Sequence, residues 1–104
     1  MRGLAERVAL VTGAAAGIGR AIALRLAEEG CPLALADIDV TGLARVAAEI
    51  DAGGGQALTV GADVAVTADV ERMVAMTTGH YGRLDVLVNN AGATGPRSPA
   101  AELS

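Results

Sequence analysis

The run Val8–Thr12, rich in β-branched residues, leads directly into three glycines within seven residues, Gly13, Gly17 and Gly19, and then into an amphipathic pattern. This order of strand, glycine turn and helix constrains the chain more than any other feature. A short apolar strand of this kind is buried on both faces, so helices must cover it. Ile18, Ile22 and Leu26 recur every four residues with Ala21 beside them, while Arg20, Arg25, Glu28 and Glu29 take the other faces. That spacing predicts a helix, closed by Gly30 as its C-terminal cap. The alternation then repeats. Leu33–Ile38 reads as a second strand, and Leu43, Val46, Ala47 and Ile50 mark a second helix that Gly53-Gly54-Gly55 stops. Ala57–Val60 is a third strand leading to Asp63. Thr67 is expected to cap a third helix with Val70, Met73, Val74 and Thr77 on one face, and Asp85–Asn89 holds a fourth strand, Val86-Leu87-Val88. Strands alternating with helices in this way predict an α/β fold with a parallel sheet and right-handed crossovers.

At 104 residues the chain makes one domain, and with Tyr81 its only aromatic the core must be built from Ala, Val, Leu and Ile. A net charge of −4 argues against nucleic-acid binding and against an anionic membrane surface. Arg20 and Arg25 interrupt the apolar start, so neither a signal peptide nor a membrane span is expected. Cys31 is the one cysteine; it excludes an internal disulfide, fits a cytoplasmic location, and reads as a small buried side chain. His80 is expected as a solvated residue at a helix end. Met73 and Met76 read as packing, and no cluster has metal-ligand spacing.

The glycine turn carries chemistry of its own. Gly13 permits a tight exit from the strand, and Gly17 and Gly19 allow a pyrophosphate to approach the backbone and the helix to pack near its strand. Amides of the first helical turn, aided by the helix dipole, would face the phosphates. The spacing is Gly-x-x-x-Gly-x-Gly rather than G-x-G-x-x-G, and no Lys-Ser or Lys-Thr follows, which excludes a P-loop. Taken alone, such a turn is also compatible with a connection that binds nothing. Asp37 falls 18 residues after Gly19, where a carboxylate would accept from an adenosine ribose and repel a 2′-phosphate. Ala16 and Ile38 are neutral where NADP sites place Arg or Lys, and Asp39 adds negative charge, so NAD is expected over NADP. The other reading of Asp37 and Asp39 is as ordinary turn acids.

Thr12-Gly13-Ala14-Ala15-Ala16-Gly17-Ile18-Gly19 together with Asn89-Asn90-Ala91-Gly92 resembles the paired signatures, T-G-x-x-x-G-x-G and N-N-A-G, of the short-chain dehydrogenase/reductase family. Asp63-Val64 is similar to that family's pair after its third strand, and His80–Asp85 to its approach to the fourth. The resemblance implies a Rossmann-type doubly wound parallel sheet, here partial, with about four strands in the order 3-2-1-4 and three helices. It implies that residues 1–92 are the NAD(P)-binding half-domain and that residues 93–104 begin a substrate-side loop. The cofactor-binding set is then Gly13, Ala15, Ala16, Gly17, Ile18, Gly19, Asp37, Ile38, Asp63, Val64, Asn90, Ala91 and Gly92. Within it, Asp63 would accept from the adenine amino group and the Val64 amide would meet a ring nitrogen. Asn90, Ala91 and Gly92 would line the nicotinamide-side ribose, while Asn89 would tie neighbouring strands.

The family's catalytic Ser and Tyr-x-x-x-Lys have no counterpart here, because Tyr81 is followed four residues later by Asp85. No catalytic residue is therefore expected within the chain, and Tyr81 reads as packing at a helix-to-strand junction. The chain looks truncated relative to the family, with Ser104 resembling a helix cap. The expected function is the cofactor-binding part of an NAD(H)-dependent oxidoreductase whose full-length form acts on a small alcohol or carbonyl compound and assembles as a homo-oligomer. A non-catalytic dinucleotide-binding module fits the same motifs. A Rossmann-like methyltransferase leaves Asn89-Asn90-Ala91-Gly92 unexplained.

Overall fold

The computed structural model describes residues 5–90. Strands and helices alternate as β1 (Ala9–Thr12), α1 (Gly17–Glu28), β2 (Leu33–Asp37), α2 (Val40–Ala52), β3 (Ala57–Gly61), α3 (Thr67–Tyr81) and β4 (Val86–Asn89). All pairings are parallel and the strand order is β3-β2-β1-β4, as the resemblance implied. The register runs Ala9 beside Leu33 and Val86, and Thr12 beside Ala36 and Asn89.

Alternation along the strands divides the core into two. Ala9, Val11, Leu33 and Leu35 point to one face, where Ala23 of α1 and Leu43, Val46 and Ile50 of α2 cover them. Leu10, Ala34, Ala36 and Val60 point to the other, under Met73 with Val70 and Val74 of α3 packed alongside. Leu10, Leu33, Leu35 and Leu43 are fully buried. Each contributes roughly 1.5–3 kcal/mol relative to an exposed side chain. With no aromatic in this core, these leucines and valines supply most of the apolar contact.

Glycines end the first two helices by the same device. Gly30 has φ +94° and donates to the Ala27 carbonyl at 3.0 Å, while Cys31 donates to Leu26 at 3.1 Å. Gly54 has φ +89° and donates to Asp51, and Gly55 donates to Ile50, both at 2.9 Å. These are Schellman closures, in which a left-handed residue lets the last amides turn back onto the helix. The sequence expectation placed the caps correctly at Gly30 and in the Gly53–Gly55 run. It overlooked Gly82, the left-handed cap of α3 at φ +83°.

The start of α3 departs from expectation. Thr67 is its first helical residue rather than its cap; Val66 holds the cap position without a side-chain bond. Two aspartates order this turn instead. Asp63 Oδ1 accepts from the Ala65 N–H at 2.9 Å, and Asp69 Oδ2 accepts from the Asp63 N–H at 2.8 Å. A carboxylate in the first turn also suits the helix dipole. Val8 lies just outside β1. Its N–H donates to the Asp85 carboxylate at 2.8 Å and its carbonyl accepts from the Asp85 and Val86 amides, so Asp85 joins the starts of β1 and β4.

Gly19 and Gly79 both lie in helices but in opposite surroundings. A Cβ on Gly19 would fall inside the Gly13 carbonyl and 2.9 Å from Asn90 Nδ2, whereas one on Gly79 meets open space. Gly79→Ala should therefore raise stability by about 0.5–1 kcal/mol. Gly19→Ala should lower it by roughly 1–3 kcal/mol despite the better helix propensity. Urea midpoints of the two variants check both signs.

The Asp63 amide, aided by Arg72, holds the Asp69 carboxyl below the usual aspartate range. Because the folded value is the lower one, the contribution is complete above the ordinary aspartate pKa and is lost as pH falls through the depressed value. Asp69→Asn should consequently lose less thermal stability than the parent across that acid window. Melting temperatures recorded through it would show the two curves converging as pH falls.

Candidate functional site

The glycine motif divides into a turn, Gly13–Ala16, and the opening turn of α1, Gly17–Gly19. Gly13 and Gly17 adopt left-handed backbone at φ +65° and +60°, which a side chain would strain. Their neighbours differ in purpose. The Cβ direction of Gly19 is filled by Gly13 and Asn90, and that of Gly17 opens onto free space. Gly19 thus lets α1 pack against the end of β1, while Gly17 leaves an approach to the backbone clear.

α1 begins on Ala16 with no side-chain cap and no acid in its first turn. The other helices are supplied: Asp39 accepts from Gly42 N–H at 2.9 Å at the start of α2, and Asp69 lies in the first turn of α3. The helix facing the glycine turn is the one whose amino end is left for an anion, with its dipole aligned to favour negative charge. Ala16, Gly17 and Ile18 are exposed around it. Ile18, at 65% exposure, departs from the apolar stripe that the four-residue spacing predicted, which Ile22 and Leu26 do form. It sits in the opening turn of the helix, where α1 leaves the turn that follows β1, and the buried contacts of α1 begin beyond it.

Asp37 closes β2 beside this turn. Its Oδ2 accepts from the Ala15 N–H and its Oδ1 from the Asp39 N–H, each at 3.0 Å. The carboxylate is thereby fixed against the glycine turn, and the Ala15 amide, expected among the cofactor contacts, is given to Asp37. Ala15 itself is buried, while Ile38 is exposed just beyond the acid. Asp63 and Val64 follow β3 and are half-buried, with Val64 packed against the core of Leu10, Ala34, Ala36, Val60 and Met73.

The ends of β1 and β4 are clamped by a buried hydroxyl. Thr12 Oγ1 donates to Asn89 Oδ1 at 3.0 Å and accepts from the Asn90 N–H at 2.9 Å. Asn90 Nδ2 reaches the Gly13 carbonyl at 3.5 Å. Asn89 therefore ties the strands as expected, and Asn90 stands next to both Gly13 and Gly19. The part played by Thr12 was missed, although its place at the head of the motif was a signal. Ala91, Gly92 and the 93–104 segment lie outside the described residues.

All of these groups gather at the carboxyl ends of the strands. Chain winding proceeds from β1 outward to β3 and then returns across to β4, so the crevice between β1 and β4 is a topological switch point, the usual ligand position in such sheets. Tyr81 is elsewhere. Its hydroxyl donates to the carbonyl of Leu33, the first residue of β2, at 2.8 Å, and burial pushes its phenol up. His80 is exposed in the last turn of α3 with its ring edge-on to Tyr81. Cys31 is buried as expected, its thiol also pushed up by burial. Met73 is core, but Met76 is 39% exposed and packs less than expected. Among the described residues no group of His, Cys, Asp or Glu could hold a metal ion, and no helix is long and apolar enough to cross a membrane.

Comparison with known proteins agrees with this geometry. The short chain dehydrogenase family pattern matches residues 7–104. Levodione reductase of Leifsonia aquatica is 46% identical over 96 residues, covering 90% of this chain and 36% of the reductase. Among solved structures, a short chain dehydrogenase/reductase from Burkholderia phymatum in complex with NAD superposes with a TM-score of 0.80 at 34% identity, over 84% of this chain and 31% of that one. The 3-ketoacyl-(acyl-carrier-protein) reductase from Brucella melitensis complexed with NADH gives 0.74 at 40% identity, over 81% and 33%. The chain spans about a third of the length of these relatives. Its strand order, its glycine turn beside an uncapped helix and the matched pattern together establish that the chain belongs to the short-chain dehydrogenase family.

Proposed function

We propose that the chain holds the adenosine and pyrophosphate portion of a nicotinamide dinucleotide, NAD(H) in preference to NADP(H). The observation that carries this reading is the Asp37 carboxylate, fixed by the Ala15 and Asp39 amides at the end of β2, with neutral Ala16 and exposed, neutral Ile38 beside it. A carboxylate held there has lone pairs left to accept from ribose hydroxyls and meets a 2′-phosphate with repulsion. The open backbone at Gly17 and the uncapped start of α1 would receive the pyrophosphate. Asp63 and Val64 would border the adenine. Asn90, followed by Ala91 and Gly92, would lie toward the nicotinamide-side ribose, at the switch point that Thr12 closes from below.

When bound, the dinucleotide would supply or take up hydride at a carbinol or carbonyl carbon. The described residues contribute binding and orientation to that reaction. None of them is assigned as proton donor in this reading: among the described residues there is no lysine, and the one tyrosine is held by Leu33 at the other end of the sheet. Relatives bound to NAD and NADH support the class of cofactor.

Two measurements test this reading. Asp37→Ala combined with Ile38→Arg should shift the NADH:NADPH affinity ratio toward NADPH by at least about tenfold, because one repulsion is removed and one charge-assisted pair is gained. A ratio unmoved in fluorescence titrations would refute the role of Asp37. The purified 104-residue chain should also show no NAD-linked turnover against a panel of secondary alcohols and ketones. Sustained turnover by material free of other dehydrogenases would overturn the division between binding and chemistry.

A further inference from the structure

A cleft of about 410 Å³ lies between α1 and α2, bounded by Ala16, Gly17, Arg20, Asp39, Arg45 and Glu49. Both of its walls lead to Asp37. Asp39 on one side gives its N–H to Asp37 Oδ1, and Ala15, next to Ala16 on the other, gives its N–H to Oδ2. A ribose accepted by Asp37 would thus have this cleft alongside it, open to whatever its 2′-oxygen carries.

The charge in the cleft is balanced in pairs. Arg20 grips Glu49 with one edge of its guanidinium as a two-pronged fork, Nε to Oε1 at 2.9 Å and Nη2 to Oε2 at 2.6 Å. Arg45 also bears on Glu49, and Asp39 is engaged as the cap of α2. Two arginines against two carboxylates leave the lining neutral, with Asp37 beside it as the uncompensated charge. A planar guanidinium suits a phosphate as well as it suits a carboxylate. Arg20 is therefore chemically competent to receive a phosphate monoester, and what withholds it is Glu49.

We infer that Glu49 is a specificity-determining positioning residue, which keeps Arg20 occupied and so denies the cleft to a phosphate on the adenosine 2′-oxygen. This rests on the placement of adenosine at Asp37 proposed above. Removing the Glu49 charge while keeping its shape changes the lining from neutral to a net single positive charge and frees a fork that already borders the cleft. The Arg20–Glu49 pair also bridges α1 to α2, so the same substitution has a structural consequence, which acts on both cofactors alike. The ratio of affinities separates the two effects.

The test titrates NADPH and NADH into the parent chain, Glu49→Gln, Glu49→Asp and the double variant Arg20→Gln/Glu49→Gln. Glu49→Gln should strengthen NADPH binding relative to NADH about fivefold, the upper range for one exposed ion pair. The double variant should lose that gain, and Glu49→Asp, which keeps the charge, should behave as the parent. The gain should shrink as salt is raised. An unmoved ratio, an equal change for both cofactors, or no NADPH binding by Glu49→Gln would each overturn the inference. Failure of the Asp37 reading shows separately, as a parent chain without NADH preference and an unresponsive Asp37→Ala/Ile38→Arg variant.

Discussion

A strand that is hydrogen-bonded on both sides and covered on both faces leaves its chain no route onward except over a face of the sheet. β1 is such a strand, paired with β2 and β4 and buried at every residue. Parallel pairing on both flanks then requires a crossover each time, and the crossovers are α1, α2 and α3. Because every strand points the same way, every strand-to-helix turn falls at one rim. The glycine turn, Asp37, Asp63 and Asn89-Asn90 are neighbours for that reason, although they are scattered along the sequence.

Much of this could be read from the residues. Period-two strands and period-3.6 helices are set by local alternation, and Gly30 and the Gly53–Gly55 run mark where two of the helices close. Boundaries moved by a residue where a side chain from elsewhere intervenes, as at Val8, whose amide is taken by Asp85. Thr67 misled because a threonine before a helix is a favoured cap, while the turn was in fact ordered by Asp63 and Asp69 across six residues. The stripe at Ile18 failed for a geometric reason: periodicity identifies a face of a helix but not how far along its axis the sheet extends.

The site was legible to a similar depth. The motif named the positions of Gly13, Gly17 and Gly19 but assigned Gly17 and Gly19 shared work, which the structure separates into an open approach and a packing contact. Asp37 was found by its distance along the chain from the turn. Its bond to Ala15, the Thr12 clamp and the Arg20–Glu49 pair are contacts between elements, and 29 residues separate the last two partners. No local pattern signals a pairing of that kind, since either residue alone reads as a solvated helix position.

The closures at Gly30, Gly54 and Gly82 give the two rims of the sheet different natures. Each places left-handed backbone at the end of a helix, on the side away from the ligand groups. Helix length and re-entry angle are set there by main-chain geometry that depends on the absence of a side chain. At the opposite rim left-handed glycines recur at Gly13 and Gly17, but polar side chains, Asp37, Asp39, Asp63 and Thr12, join them in holding the turns. Variation in binding preference is thereby separable from the part of the chain that sets its path: one edge can change its chemistry while the other keeps the scaffold's dimensions.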